Sequence, residues 1–293
     1  GIFNMFYLAI VSLIWAFSFG IIGSSLTGVD SFLVATLRLA SASLVFLPFL
    51  RPGVTQGSDC LRLFFYGFIQ FGLMYVCYMK AFQYLPSHLV ALFSILTPLY
   101  VVLINDIRKG QFSRRYLIAA LLSVCGAAVI KVQGLPSGDF WLGFTLMQIA
   151  GIAFAFGQIA YRDWKGSHPS VPDSAIFALL TFGGTVCAGV FSLAFADRTA
   201  LDISIAQWRS ILYLGLVASG LGFFLWNKGA TLTNPGILAA FNNAVVPLAM
   251  LFSLFIFGEI DQVTKEQVIR LLAGGLLVIT AVTFATQSNK CTS

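Results

Sequence analysis

The sequence predicts an all-α integral membrane protein of ten transmembrane helices, arranged as two inverted five-helix repeats with both termini cytoplasmic. Three observations carry that expectation: the spacing of the apolar runs, an internal echo, and the side on which the basic residues fall. Of the 293 residues, 58% are hydrophobic and only 10% charged, against about 25% charged in a soluble domain. The charges gather in clusters between apolar runs of roughly 18 to 24 residues, the length a helix needs to cross a ~30 Å hydrocarbon core.

The echo links residues 66–98 with residues 214–247. Gly67, Gly72 and Lys80 match Gly215, Gly220 and Lys228 at an offset of 148, while Pro86 and Pro98 match Pro235 and Pro247 at 149. A second echo places Ala16-Phe17-Ser18-Phe19-Gly20 beside Ala153-Phe154-Ala155-Phe156-Gly157, at an offset of 137. Two echoes in the same order divide the chain into homologous units, 1–134 and 135–293.

Taken in order, the spans fall at 3–23, 31–50, 62–84, 87–106 and 115–131, then 140–161, 174–196, 208–230, 235–257 and 267–286. The first carries Trp15 and Phe19 on one helical face, and the second holds Arg38 about seven residues in. The third carries Lys80 near its end and stops at Leu85-Pro86-Ser87, a turn that permits only an antiparallel neighbour. The fourth contains Pro98, and the fifth closes the first unit. The sixth opens the second unit with the Ala-Phe echo. The seventh puts Gly183 where the second has Arg38. The eighth carries Trp226 and Lys228 before the tight Leu232-Thr233-Asn234 turn, the ninth contains Pro247, and the tenth ends the chain.

Orientation follows from the basic residues. One side has Arg51, Arg62, Arg108, Lys109, Arg114, Arg115, Arg162, Lys165 and Lys290, nine in all; the other has five, Lys131, Arg198, Arg209, Lys265 and Arg270. The richer side is cytoplasmic by the positive-inside rule. Five spans per unit is odd, so the second unit enters from the opposite face. Secondary carriers are built this way, with substrate held near the midplane between the units.

Several functions are excluded. The net charge of +6 reflects basic cytoplasmic loops and not nucleic-acid binding. Cys60, Cys77, Cys125, Cys187 and Cys291 show no metal spacing and read as small packing residues. No phosphate loop, metal cluster or nucleophile–base pair is visible, and His88 and His168 stand far apart, so neither an enzyme nor a cofactor or metal site is expected. The first apolar run leads into further spans, which argues against a cleaved leader.

Arg38, Lys80 and Lys228 are the ionisable residues within spans, and no Asp or Glu lies well inside any span, Asp106 and Glu259 being at helix ends. Such charges face a cavity or a partner. The two lysines either meet a substrate anion or snorkel to the interface as anchors. Arg38 is assigned a structural or gating role. Ser94 and Asn243 each precede a proline, Pro98 or Pro247, by four residues, and a proline frees the carbonyl four back. A polar side chain and exposed backbone therefore coincide in both units. With Gln158, Asn242, Trp15 and Trp226 they form the polar and aromatic candidates, the alternative being helix–helix packing.

These features resemble the EamA-type branch of the drug/metabolite transporter superfamily. The resemblance rests on Trp15 and Phe19, Leu37-Arg38-Leu39, Tyr78 with Ala81-Phe82-Gln83-Tyr84, the prolines of spans 4 and 9, Phe257-Gly258-Glu259 and Gly274-Gly275. It implies a transporter of the bacterial inner membrane with a central cavity lined by spans 1, 3, 4, 6, 8 and 9. Lys80 after Tyr78-Met79 is similar to the carboxylate/amino acid/amine group.

The expected function is export, by alternating access, of amino acids or related small carboxylate-bearing metabolites, driven by protons or a counter-substrate, by a monomer or weak dimer. The substrate-binding set is Trp15, Phe19, Tyr78, Lys80, Ser94, Gln158, Trp226, Lys228, Asn242 and Asn243; Arg38, Pro98 and Pro247 are structural or gating. The alternatives are carriage of amines, S-adenosylmethionine-like metabolites or drugs, for which an aromatic cage suffices, and a lipid-carrier flippase.

Overall fold

In a bilayer each backbone N–H and C=O must find a partner within the protein, and an apolar chain does this by forming helices. A computed structural model describes residues 2–85, 90, 93–131, 139–255 and 264–286; the side chains at 19, 20, 23, 24, 131, 140, 250 and 253–255 lie outside the description. Among the described residues every regular element is helical. Six continuous helical stretches are long and apolar enough to cross a membrane: Ser31–Phe49, Gly57–Ala81, Trp141–Ser167, Asp173–Phe195, Ile205–Leu232 and Lys265–Thr286. Shorter apolar helices lie at Ile2–Ser18 and Pro235–Ala249.

In chain order the helices are α1 (Phe6–Ser25), α2 (Ser31–Phe46), α3 (Gly57–Gly67), α4 (Met74–Ala81), α5 (Thr97–Lys109), α6 (Arg114–Lys131) and α7 (Phe140–Ser167). There follow α8 (Asp173–Phe195), α9 (Ile205–Tyr213), α10 (Gly222–Leu232), α11 (Pro235–Phe241), α12 (Val245–Phe255) and α13 (Lys265–Thr286). Their ends obey ordinary capping rules. The Asp30 carboxylate accepts from the Leu33 N–H to start α2, and Ser204 with Gln207 forms a capping box before α9. Asn234 caps α11 ahead of Pro235 at its first position. Gly110, at φ +60°, ends α5 in the left-handed conformation.

The echoed stretches share a departure from regularity. A π-helical segment, Phe68–Leu73, joins α3 to α4, and another, Leu214–Leu221, joins α9 to α10. Such wide turns shift the register of a helix and often lie at functional sites.

The prolines act differently from the expectation that each lies within a continuous span and frees the carbonyl four residues back. Pro98 and Pro247 lie in the first turns of α5 and α12, just after interruptions at Ser94–Leu96 and 242–244. A proline needs no N–H in the first turn, so the chain breaks before it and restarts there. Nor are the freed carbonyls bare. Ser94 O accepts from the Thr97 hydroxyl at 2.8 Å, and Asn243 O from the Val246 N–H at 3.2 Å.

Glycines set the closest crossings. A Cβ on Gly67 would overlap the Leu180 backbone, and one on Gly183 would overlap the Phe64 carbonyl, so α3 and α8 touch backbone to backbone. Gly126 of α6 and Gly274 of α13 face each other in the same manner. Small residues permit this contact in membranes, where dispersion replaces hydrophobic burial as the driving force. G183V is expected to lower the midpoint of thermal unfolding in detergent, with an overpacking cost of about 1–3 kcal/mol or more, while L193V on the exposed surface of α8 should leave it nearly unchanged.

Candidate substrate-binding site

A cavity lies between residues of the N-terminal stretch and residues of the C-terminal stretch, near the middle of several helices. Its volume is about 170 Å³, many times the roughly 10–15 Å³ that one water requires, so the space suits a metabolite. Trp15 and Ile22 of α1, Tyr75 and Tyr78 of α4, and Phe154 of α7 form much of the apolar wall, with Phe223 of α10. Ser94, Thr97 and Asn242, at or beside the two interruptions, supply hydrogen-bonding groups, and Arg38 of α2 supplies the only charge among the described lining residues.

The aromatic wall is built in layers. The Trp15 indole donates from Nε1 to the Ala218 carbonyl at 2.8 Å. It lies directly over Gly222, where a Cβ would meet Nε1. Its ring centre is 4.9 Å from that of Trp226 and 5.9 Å from those of Phe154 and Phe223. Trp226 is wholly buried behind Trp15 and does not line the cavity. Small residues beside the rings thus give close packing here and leave no open space at Trp226.

Two pairs of side-chain amides fasten the region around Trp226. Gln70 and Asn227, both fully buried, exchange hydrogen bonds of 2.7 and 3.1 Å. Gln158 and Asn242 do the same at 3.1 Å each, and Asn242 also donates to the Leu238 carbonyl. Of these four only Asn242 borders the cavity. Asn243 points elsewhere: its amide donates to the Ile95 carbonyl at 2.9 Å, so the side chain at one interruption holds the backbone of the other.

Arg38 is 3% exposed, and its Nε and Nη1 have no hydrogen-bond partner among the described residues. Its guanidinium carbon lies 4.5 Å from the centre of the Tyr75 ring. The Tyr75 hydroxyl in turn meets the Ser219 hydroxyl at 2.8 Å.

The lysines are elsewhere. Lys80 donates to Gln83 Oε1 at 2.7 Å and lies 5.3 Å from the Phe32 ring centre. It belongs to a cluster around a second hollow of about 420 Å³, bordered by Asp30, Ser31, Gln83 and Asp197. Ile22 borders both hollows. In that cluster hydrogen bonds from Thr199 hold the Asp197 carboxyl below the usual carboxylate range, with a smaller pull from Lys80. Lys228 sits 5.4 Å from the Tyr7 ring centre, against the start of the chain. Neither lysine lines the central cavity, because each stands near a helix end where a cation and a long stem are both favoured.

Of the expected binding set, Trp15, Tyr78, Ser94 and Asn242 therefore come together at the cavity, while Lys80, Gln158, Trp226, Lys228 and Asn243 do not. The Phe19 side chain and Phe257-Gly258-Glu259 lie outside the described residues. Tyr75, Thr97, Phe154 and Phe223 were missed. Phe154 stands within the repeated Ala-Phe motif, but with 29 phenylalanines the residue type carries little signal.

Among the described residues the protein is all-helical, with apolar spans around an internal cavity, an arrangement that suits a carrier of small molecules. The profile of the EamA-like transporter family matches residues 2–132 and again 137–286, and the chain belongs to that family. It is 37% identical over 277 residues to a protein of Pseudomonas aeruginosa named "Probable biotin transporter", covering 94% of this chain and 95% of that one. Proteins of Salmonella typhimurium and Escherichia coli K12 named "Biotin transporter" are each 37% identical over 260 residues, covering 87% of this chain and 85% of theirs. A crystal structure 16% identical, covering 97% of both chains, superposes with a TM-score of 0.75 and shares the fold. The resemblance to the EamA-type branch is thereby shown, while the names of these relatives do not support the amino acid group within it; the protein is a transporter and not an enzyme.

The amide pairs give a test of the site's framework. Q70L should destabilise the protein by about 1–3 kcal/mol, because it leaves the buried Asn227 amide unsatisfied. The double variant Q70L/N227L should regain much of that loss, read as the unfolding midpoint in detergent.

Proposed function

We propose that the chain is a secondary carrier of biotin in the bacterial inner membrane, working by alternating access between two inverted units of five spans. The observation that carries the substrate is the cavity wall: aromatic and aliphatic surface, a few hydrogen-bonding groups, and no carboxylate among the described lining residues. Biotin matches it as a compact ring system with a ureido group and a single carboxylate. The names of the relatives in Pseudomonas, Salmonella and Escherichia agree with that choice. Amino acids, the first expectation from the sequence, fit less well. Each brings an ammonium that the described wall has no acid to meet, beside an arginine that repels it.

The ten-span inverted arrangement is supported by the two successive family matches and by where the loop contacts fall. Asp30 bonds to the backbone at Asp197 and Ala200, joining two connections at what this reading makes the outer face. Arg108 with Asp163, Arg115 with Phe284 and Asn234 with Ala285 join segments at the other face. Alternating crossings require that division. On this reading the outer hollow neighbours the central cavity across Ile22, and Trp15 over Trp226 with the amide pairs forms the inner closure. Export, expected from the resemblance, gives way to flux in whichever direction the gradients set, since a carrier is reversible.

Purified protein in liposomes should take up labelled biotin saturably, with competition by unlabelled biotin and none by glutamate or leucine. Uptake equal to that of protein-free liposomes would remove the proposal.

A further inference from the structure

A guanidinium buried to 3% exposure normally finds a carboxylate or several carbonyls, since an unpaired buried charge is among the costliest features a fold can hold. Arg38 has neither at Nε and Nη1. Among the described residues no ion pair includes it, while the other cations near the cavity ends have partners of their own: Lys80 bonds Gln83, and Lys228 lies against Tyr7. The names of the relatives suggest a substrate, but nothing in them says which part of it is held where.

We infer that Arg38 is the receptor for the substrate carboxylate, and that Tyr75 is its positioning residue. The inference rests on the biotin reading and deepens it. Tyr75 covers one face of the guanidinium, and its hydroxyl is tied to Ser219 in the helical run that also carries Phe223 and Trp226. With a face covered, the planar edge of the group is left for hydrogen bonding, and Nε with an Nη forms the fork that a carboxylate accepts side by side. A substrate seated there places its acid against α2 and its ring system among Trp15, Phe154 and Asn242. Specificity then depends on the ligand's charge: a neutral analogue of the same shape leaves the guanidinium unpaired and is rejected.

The test uses the full-length protein in liposomes, with labelled biotin competed by unlabelled biotin or by biotinamide, in which the carboxylate is an amide. Losing one charged hydrogen-bonded partner corresponds to about 10- to 100-fold in affinity. In the wild type biotinamide should compete worse by about that factor. In R38Q the affinity for biotin should fall to that for biotinamide while biotinamide itself is unchanged, and R38K should lie between. Y75F should keep most of the discrimination and Y75L lose much of it. Equal competition by the two ligands in the wild type, or a biotin preference that survives in R38Q, overturns the inference. Should R38Q fail to fold, the wild-type comparison and R38K decide. If the wild type carries no biotin, the substrate reading falls alone. Thermal stabilisation by octanoate against octanamide then judges Arg38 by the same criterion.

Discussion

A helix that breaks inside a membrane releases backbone groups that lipid cannot satisfy, and the fold is organised around meeting that demand twice. The interruptions at Ser94–Leu96 and at 242–244 precede prolines at equivalent places in the two echoed stretches. One is tied to the other, the Asn243 side chain reaching the Ile95 carbonyl, while the Thr97 hydroxyl closes Ser94 locally. Because the breaks are paid for internally, Ser94, Thr97 and Asn242 can border a cavity without leaving unsatisfied backbone in the lipid.

The same economy separates two kinds of buried polar residue. Gln70 and Asn227 satisfy one another through reciprocal amide bonds away from the cavity and so specify how the helices meet; Asn242, paired the same way with Gln158, keeps only acceptor capacity at its carbonyl oxygen for a ligand. Arg38 is the opposite case, a strong donor whose buried nitrogens are unused, beside open space. Asn105 Oδ1 and Trp226 Nε1 also lack partners among the described residues, but neither residue lines the cavity; an unsatisfied group that does is where a ligand's contribution is largest.

How much of this was legible in the chain varied with the physics of each signal. The helical membrane class was plain from the apolar runs, because length and hydropathy are local properties. Trp15, Tyr78, Ser94 and Asn242 were recognisable as unusual residues within spans, and they do meet at the cavity. Lys80 and Lys228 were equally conspicuous. Their position near helix ends allowed two outcomes, and their contacts with Gln83 and Tyr7 draw them away from the centre. Trp226 and Asn243 misled in another way, since only packing tells an indole behind the wall from one in it, or an amide turned to a carbonyl from one turned to a pore.

The sequence by itself determined the family, the helical membrane class, the paired prolines and the scarcity of acid within the apolar runs, all of which depend on residue type and spacing along one dimension. The tertiary structure decided which cation faces the cavity. Arg38 lies far in sequence from Tyr75, Trp15 and Phe154, and periodicity along a single helix cannot show that α2 turns its arginine toward that space. Whether a buried polar group is spent on a neighbour or kept for a ligand is a property of the packed helices, and it exists only once they are together.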